Sequence, residues 1–244
     1  DTYTIKDFGT TDYYHLTIAG TDSGDIFQLG GALTVASGAT MTVSGGTFSL
    51  NAQNWTMTTV TFSNTATVQR VGAETITGLT QDTDSGTWKY VGDGDSASDS
   101  YTVTDFGSTD YYNLIIASTD SGDTYISGGA KVVTGALTLS YGTLNMNTYA
   151  NTVTGAVTVS GGTYSASTGT QTFNGGITIS GGTFSGSTGT VDVNGDLSLT
   201  SGTLTAPSGT FTVSGNWAQS GGTFTPGTNT VTFNGVIPAG GSLT

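Results

Sequence analysis

Apolar residues in the second half of the chain fall in step every 20 positions. The units begin TGALTLSYGTL at Thr134, TGAVTVSGGTY at Thr154, NGGITISGGTF at Asn174, NGDLSLTSGTL at Asn194 and SGNWAQSGGTF at Ser214, with NGVIPAG opening a sixth at Asn234. Within one unit the apolar and polar residues alternate, as they do along a strand with one buried side. The unit from Thr154 to Phe173 divides into AVTVS, GTYSAS and TQTF, with Gly at or near each corner. Val157 and Val159, Tyr164 and Ala166, and Gln171 and Phe173 are the same-side pairs of the three runs. Down the repeats three columns keep constant phase. They are Leu137, Val157, Ile177, Leu197, Trp217, Ile237; Leu144, Tyr164, Phe184, Leu204, Phe224; and Val153, Phe173, Val193, Val213, Phe233.

A 20-residue unit cannot bury its own apolar face, so it must stack on its neighbours. The pattern predicts an all-β, three-sided parallel β-solenoid with about 20 residues per coil in the C-terminal half. The three columns point inward. Thr138, Thr158, Thr178 and Ser198 face water, and Thr143, Thr163, Thr183, Thr203 and Thr223 sit at a corner. The Gly pairs 161–162, 181–182 and 221–222 mark corners where positive φ is easily adopted. Asn174, Asn194 and Asn234 suit either the left-handed region or a stacked side-chain ladder. An antiparallel sandwich fits poorly, because it has no need for identical phase every 20 residues.

A longer repeat overlies the short one. YTIKDFGTTDYYHLTIAGTDSGD from Tyr3 returns as YTVTDFGSTDYYNLIIASTDSGD from Tyr101, an offset of 98 residues. Two modules are expected, 1–100 and 101–244. The first carries an extra stretch near 51–100, expected either to loop out or to form irregular coils. Because the chain opens at a repeat boundary, it is expected to be a piece of a longer array or a subunit that stacks end to end.

Composition narrows the function. The net charge is −13, and residues 1–123 hold 15 acids against 3 bases. Phosphate binding needs clustered Lys and Arg, so nucleic acid and anionic membrane surfaces are unsuitable partners. No apolar run is long enough for membrane insertion. Cysteine is absent, so stability has to come from stacking and hydrogen bonds.

Units such as NWAQSGGTFTPGTNTVTFNG, together with DYYNLIIAS, resemble the repeats of large bacterial surface and secreted proteins of adhesin or filamentous-haemagglutinin-like type. The resemblance implies an extracellular or cell-surface location, a scaffold role as filament subunit or adhesin stalk, and no catalytic residues.

Candidate chemistry is sparse. The acidic turns TDSGD (Asp22, Asp25 and again Asp120, Asp123), DTDSG (Asp82, Asp84) and DGDSASD (Asp93, Asp95) offer oxygen ligands that suit Ca²⁺, and no other cofactor is called for. None fits an EF-hand loop or the glycine-rich nonapeptide repeat. As plain turns, the same Asp residues would cap local amides. Tyr13-Tyr14 and Tyr111-Tyr112 offer sugar platforms, though such pairs more often place one ring in the core and the other on the surface. His15 is the single histidine and has Asn113 as its counterpart. The DFG at Asp7 and Asp105 lacks every other kinase element. In the regular coils a polysaccharide-active site could use only Asp192 and Asp196. The third run carries outward hydroxyls at Thr168, Thr170, Thr172, Thr188, Thr190, Thr210, Thr212, Thr228, Thr230 and Thr232. Arrays of this kind resemble those of ice-binding solenoids, although Thr also ladders well with itself in any exposed strand. The leading expectation is a non-enzymatic extracellular rod. Ligand-binding and polysaccharide-active solenoids are the alternatives.

Overall fold

The computed structural model describes residues 1–235. The chain winds into a β-solenoid of about 12 turns, and every strand pairing in it is parallel. At the usual inter-strand spacing this makes a rod roughly 55 Å long. Pairing of consecutive segments in opposite directions, the hallmark of a sandwich, does not occur among the described residues.

Three faces run along the rod. In the regular half, face 1 stacks Leu137–Tyr141 on Val157–Val159 and then on the start of Ile177–Ser185. Face 2 stacks Thr143–Asn145 on Thr163–Ser165 and on the end of that same nine-residue strand. Face 3 stacks Lys131–Val133, Asn151–Val153, Gln171–Phe173, Val191–Val193, Phe211–Val213 and Val231–Phe233. The register joins residues 20 apart, such as Val157 to Ile177, Tyr164 to Phe184 and Phe173 to Val193. The apolar columns therefore point inward, as their phase requires. Ile237 lies outside the described residues.

The corners explain the Gly content. Gly162 and Gly222 take positive φ, +63° and +69°. The pair 181–182 does not. There Ile177–Ser185 runs round the corner as one continuous strand and joins faces 1 and 2 into a single sheet. Asn194 donates from Nδ2 to Asn174 Oδ1 at 2.8 Å, so these Asn form a ladder rather than occupying the left-handed region. The Gly after each Asn or Ser is packed against backbone. A Cβ on Gly215 would overlap the carbonyl of Gly195. Gly215→Ala should cost on the order of 1–3 kcal/mol through this overpacking. The check is its melting temperature against Ser214→Ala, which changes an exposed neighbour.

The first module is less regular. Its face 1 runs Thr2–Ile5, Ile26–Leu29, Thr47–Ser49, Thr67–Arg70 and Thr87–Tyr90. Face 2 holds Leu33–Val35, Trp55–Met57 and Ile76–Thr77, and face 3 holds Leu16–Ala19, Thr40–Gly45 and Thr61–Asn64. Residues 51–91 are thus not looped out but continue the stack as irregular coils, and 92–99 form a loop without strand. Large rings fill the wider interior. Trp55 meets Phe48 at 5.2 Å, Phe62 at 5.3 Å and Trp88 at 6.4 Å. The buried Arg70 guanidinium closes this region. It pairs with Glu74 at 3.2 Å and lies over the Tyr90 ring.

The two modules share local devices at the 98-residue offset. Asp12 accepts from Phe8 N and Thr34 N, and Asp110 accepts from Phe106 N and Val132 N. Tyr13 donates to Lys6 O, and Tyr111 donates to Thr104 O. The copies nevertheless occupy different faces. Thr87–Tyr90, on face 1 of the first module, pairs directly with Asn113–Ala117, whose counterpart Leu16–Ala19 lies on face 3. The repeat therefore covers four coils and one further side, and the second module is turned by one face about the rod axis.

Candidate functional site

Two features stand out from the regular stack: the hydroxyl-bearing outer surface of face 3 and the acidic turns beside the module junction.

On face 3 the register aligns Thr152, Thr172, Asp192, Thr212 and Thr232 in one outward rank. Thr168, Thr170, Thr188, Thr190, Thr210, Thr228 and Thr230 lie in the turns leading into those strands. All the expected hydroxyls are thus on one side. Near the end of the rank a groove of about 410 Å³ is lined by Ser208, Thr210, Asn229, Thr230 and Thr232. Asp192 breaks the rank, and Val132 begins it.

The acidic turns differ in which of their oxygens are already bonded and in which carboxylates lie together. Asp22 Oδ1 accepts from Gly24 N, and Asp25 Oδ1 meets the amino terminus at 3.2 Å. Asp82 accepts from Asn64 N and Asp84 N, and Asp84 accepts from Ser85 Oγ. Asp123 is buried; it accepts from Asp99 N and from Ser118 Oγ. Asp22 and Asp82 cap local amides, Asp84 takes a side-chain hydroxyl, and Asp123 takes an amide from another coil. Asp93 and Asp95 also cap amides of their own loop, but one carboxylate oxygen from each of Asp93, Asp95 and Asp120 lies within 4.8 Å of the other two. Asp93 and Asp95 come from the loop that follows Thr87–Tyr90. Asp120 comes from the turn one coil further on. Asp120 Oδ1 accepts from Ser96 N, while its Oδ2 is shielded from solvent and has no partner.

Burial and the Asp95, Asp93, Asp123 and Asp120 carboxylates hold the Asp99 carboxyl above its ordinary value. Beneath the loop lie the hydroxyls of Tyr101 and Tyr125, both buried and both without a hydrogen-bond partner. Burial first, then Asp93, Asp123 and Asp99, raises the Tyr101 hydroxyl. Burial, with the field of Asp123, Asp120 and Asp93, does the same to Tyr125. A groove of about 560 Å³ opens beside them, between Asp93, Asp99 and Tyr101 on one side and the Arg70–Glu74 pair on the other.

The remaining candidates have structural surroundings. His15 Nδ1 accepts from Thr40 N, and Asn113 Oδ1 accepts from Ala136 N at the matching corner. The histidine is therefore a corner acceptor. Within each Tyr pair the first ring packs inward and the second is exposed. Asp192 stands in the face 3 rank, and Asp196 Oδ1 accepts from Asn216 N at the next corner. Among the described residues no helix is long and apolar enough to cross a membrane.

The fold and the surroundings of these residues define the chain as a parallel β-solenoid repeat protein with Thr-rich strands. The chain matches no family model, no curated protein and no solved structure.

Proposed function

We propose that this chain is a load-bearing segment of an extracellular or cell-surface rod, an adhesin stalk or a filament, in which coils continue from one module or subunit into the next. One comparison carries the reading. The strand Ser100–Val103 in the second module is covered by the coil before it. There Gly72 lies so close to Tyr101 that a Cβ would overlap the ring, and Tyr101 is only 7% exposed. Its counterpart Thr2–Ile5 has the same sequence pattern and, like Ser100–Val103, pairs on one edge only, but its Tyr3 is 46% exposed. Phe8, in the loop that follows, is 60% exposed. The sequence pattern that receives a coil in the second module is thus repeated at Thr2–Ile5. A strand edge flanked by aromatic rings is a template for another coil, from the same chain or from a neighbour, and head-to-tail pairing between chains does not close, so it propagates a filament. The Thr-rich, low-charge outer faces suit a scaffold, and the acidic and hydroxyl groups described above do not converge on a reaction centre.

Electron microscopy and sedimentation of the purified chain test this reading. Association into lengthening rods is expected with rising concentration. Tyr3→Lys should suppress it without lowering the melting temperature, since that side chain is half exposed. Single rods at every concentration, with Tyr3→Lys behaving as the parent, would exclude end-to-end assembly of separate chains.

A further inference from the structure

We propose that Asp93, Asp95 and Asp120 form a calcium site that clamps the loop 92–99 onto the turn of the next coil at the module junction. This goes beyond the scaffold reading and does not depend on it.

Three carboxylates whose oxygens lie within 4.8 Å of one another carry about three negative charges into a space the size of one ion. No Lys or Arg bonds to them. Arg70, across the groove, is committed to Glu74, Thr104 and the carbonyls of Gly72 and Glu74. Such crowding is unfavourable without a counter-charge. Acidic turns alone would carry little weight, because exposed Asp residues commonly cap their own loops. The independent observation is underneath. The Tyr125 hydroxyl is 0% exposed and unpartnered, and it sits by Gly92 next to Asp123 Oδ2 and Ser118 Oγ. The Tyr101 hydroxyl, also buried and unpartnered, belongs to a residue that lines the same groove as Asp93. Buried hydroxyls and a shielded Asp120 oxygen that all lack donors or acceptors call for a ligand that supplies them. A hydrated hard cation does this, since its direct ligands are the carboxylates and its waters can bond the hydroxyls. All-oxygen donors spread over two turns, with no rigid octahedral frame, favour Ca²⁺ over Mg²⁺.

The first module uses the corresponding acids otherwise. Its TDSGD turn has the same Asp pair, but Asp22 is capped by Gly24 N and Asp25 faces Asp1, the counterpart of Asp99. The site therefore falls where the second module turns by one face against the first. A cation there would tie the irregular coils to the regular ones.

The experiment uses the whole chain and Tb³⁺, whose emission is sensitised by nearby tyrosine. Saturable binding of one ion per chain is expected, with displacement by Ca²⁺ at concentrations at least tenfold below those needed with Mg²⁺. Ca²⁺ should also raise the melting temperature relative to chelator. Asp120→Asn and Asp95→Asn should each weaken binding tenfold or more, whereas Asp22→Asn should leave it unchanged. Should Asp120→Asn fail to fold, Asp95→Asn still decides, since that exposed side chain otherwise bonds only Ala97 N. Unsaturable binding, or equal losses from Asp22→Asn and Asp95→Asn, would overturn the site. Displacement by Mg²⁺ as effective as by Ca²⁺ would overturn its assignment to calcium.

Discussion

Phe184→Asp should prevent the regular coils from forming. Phe184 is 1% exposed, lies parallel to Tyr164 at 5.1 Å, and meets Phe173 edge-on at 6.0 Å. Leu204 sits above it in register. The core around these rings has no room for a water molecule. Losing the ring costs about 3–5 kcal/mol. Burying a carboxylate without a partner costs several kcal/mol more. Together these approach or exceed the whole stability of a typical domain, roughly 5–15 kcal/mol. A solenoid depends on nearest-neighbour interfaces, so one broken rung uncouples both sides. Circular dichroism should lose most of the β signal of the second half, and proteolysis should cut within it. Phe184→Leu is the control. Leu144 and Leu204 occupy the same column, so this variant should fold and lose far less. If Phe184→Asp melted as the parent does, the inward column would be misassigned.

That column was legible in the sequence because the coils between Thr134 and Phe233 are of equal length. Equal length keeps side chains of like character in vertical register, and periodicity then reports burial directly. Residues 51–100 offered no such signal. Their coils vary in length, and the interior is closed by Trp55, Trp88 and the Arg70–Glu74 pair rather than by a repeated apolar position. The 98-residue repeat was visible, but its rotation was not. Only strand pairing reveals that Thr87–Tyr90 lies against Asn113–Ala117. The acidic turns were all visible as motifs. Which of them come together depends on which turn lies a coil above which loop, and that brings Asp120 to Asp93 and Asp95 while leaving Asp22, Asp25, Asp82, Asp84 and Asp123 apart.

The module comparison also separates a residue the fold needs from one it tolerates. Asp110 and Lys131 form a buried pair, with Nζ 3.9 Å from Oδ1. Asp110 also accepts from Phe106 N and Val132 N, both at 2.8 Å. Burial raises the Asp110 carboxyl, against the pull of those two amides and of Lys131. Burial lowers the Lys131 ammonium, against Asp110 and Asp105. In the first module Asp12 makes both amide bonds, while the position of Lys131 is held by buried Leu33. The carboxylate is thus the structural device, and the lysine adds a charge that burial penalises.

Asp110→Ala should cost about 3–5 kcal/mol, since it leaves two amides without their partner and removes the counter-charge from a buried ammonium that keeps only the carbonyls of Gly129 and Ala130. For a chain of this size, that is a fall in melting temperature on the order of 10 °C. Lys131→Leu should cost much less, because in the first module Asp12 keeps the same two amide bonds with Leu33 at the lysine's position. The double variant should recover part of the loss, which a double-mutant cycle would measure. The pH dependence separates the ammonium from the amides. In Asp110→Ala, Lys131 loses its nearest counter-charge, so its folded pKa falls further below the unfolded value. Between those two values the unfolded chain holds a proton that the folded chain has released, and stability therefore rises with pH there. The deficit of Asp110→Ala should shrink as pH rises through the depressed lysine pKa, and the double variant should show no such recovery. A deficit independent of pH, with Lys131→Leu as damaging as Asp110→Ala, would show that the lysine is as necessary as the aspartate.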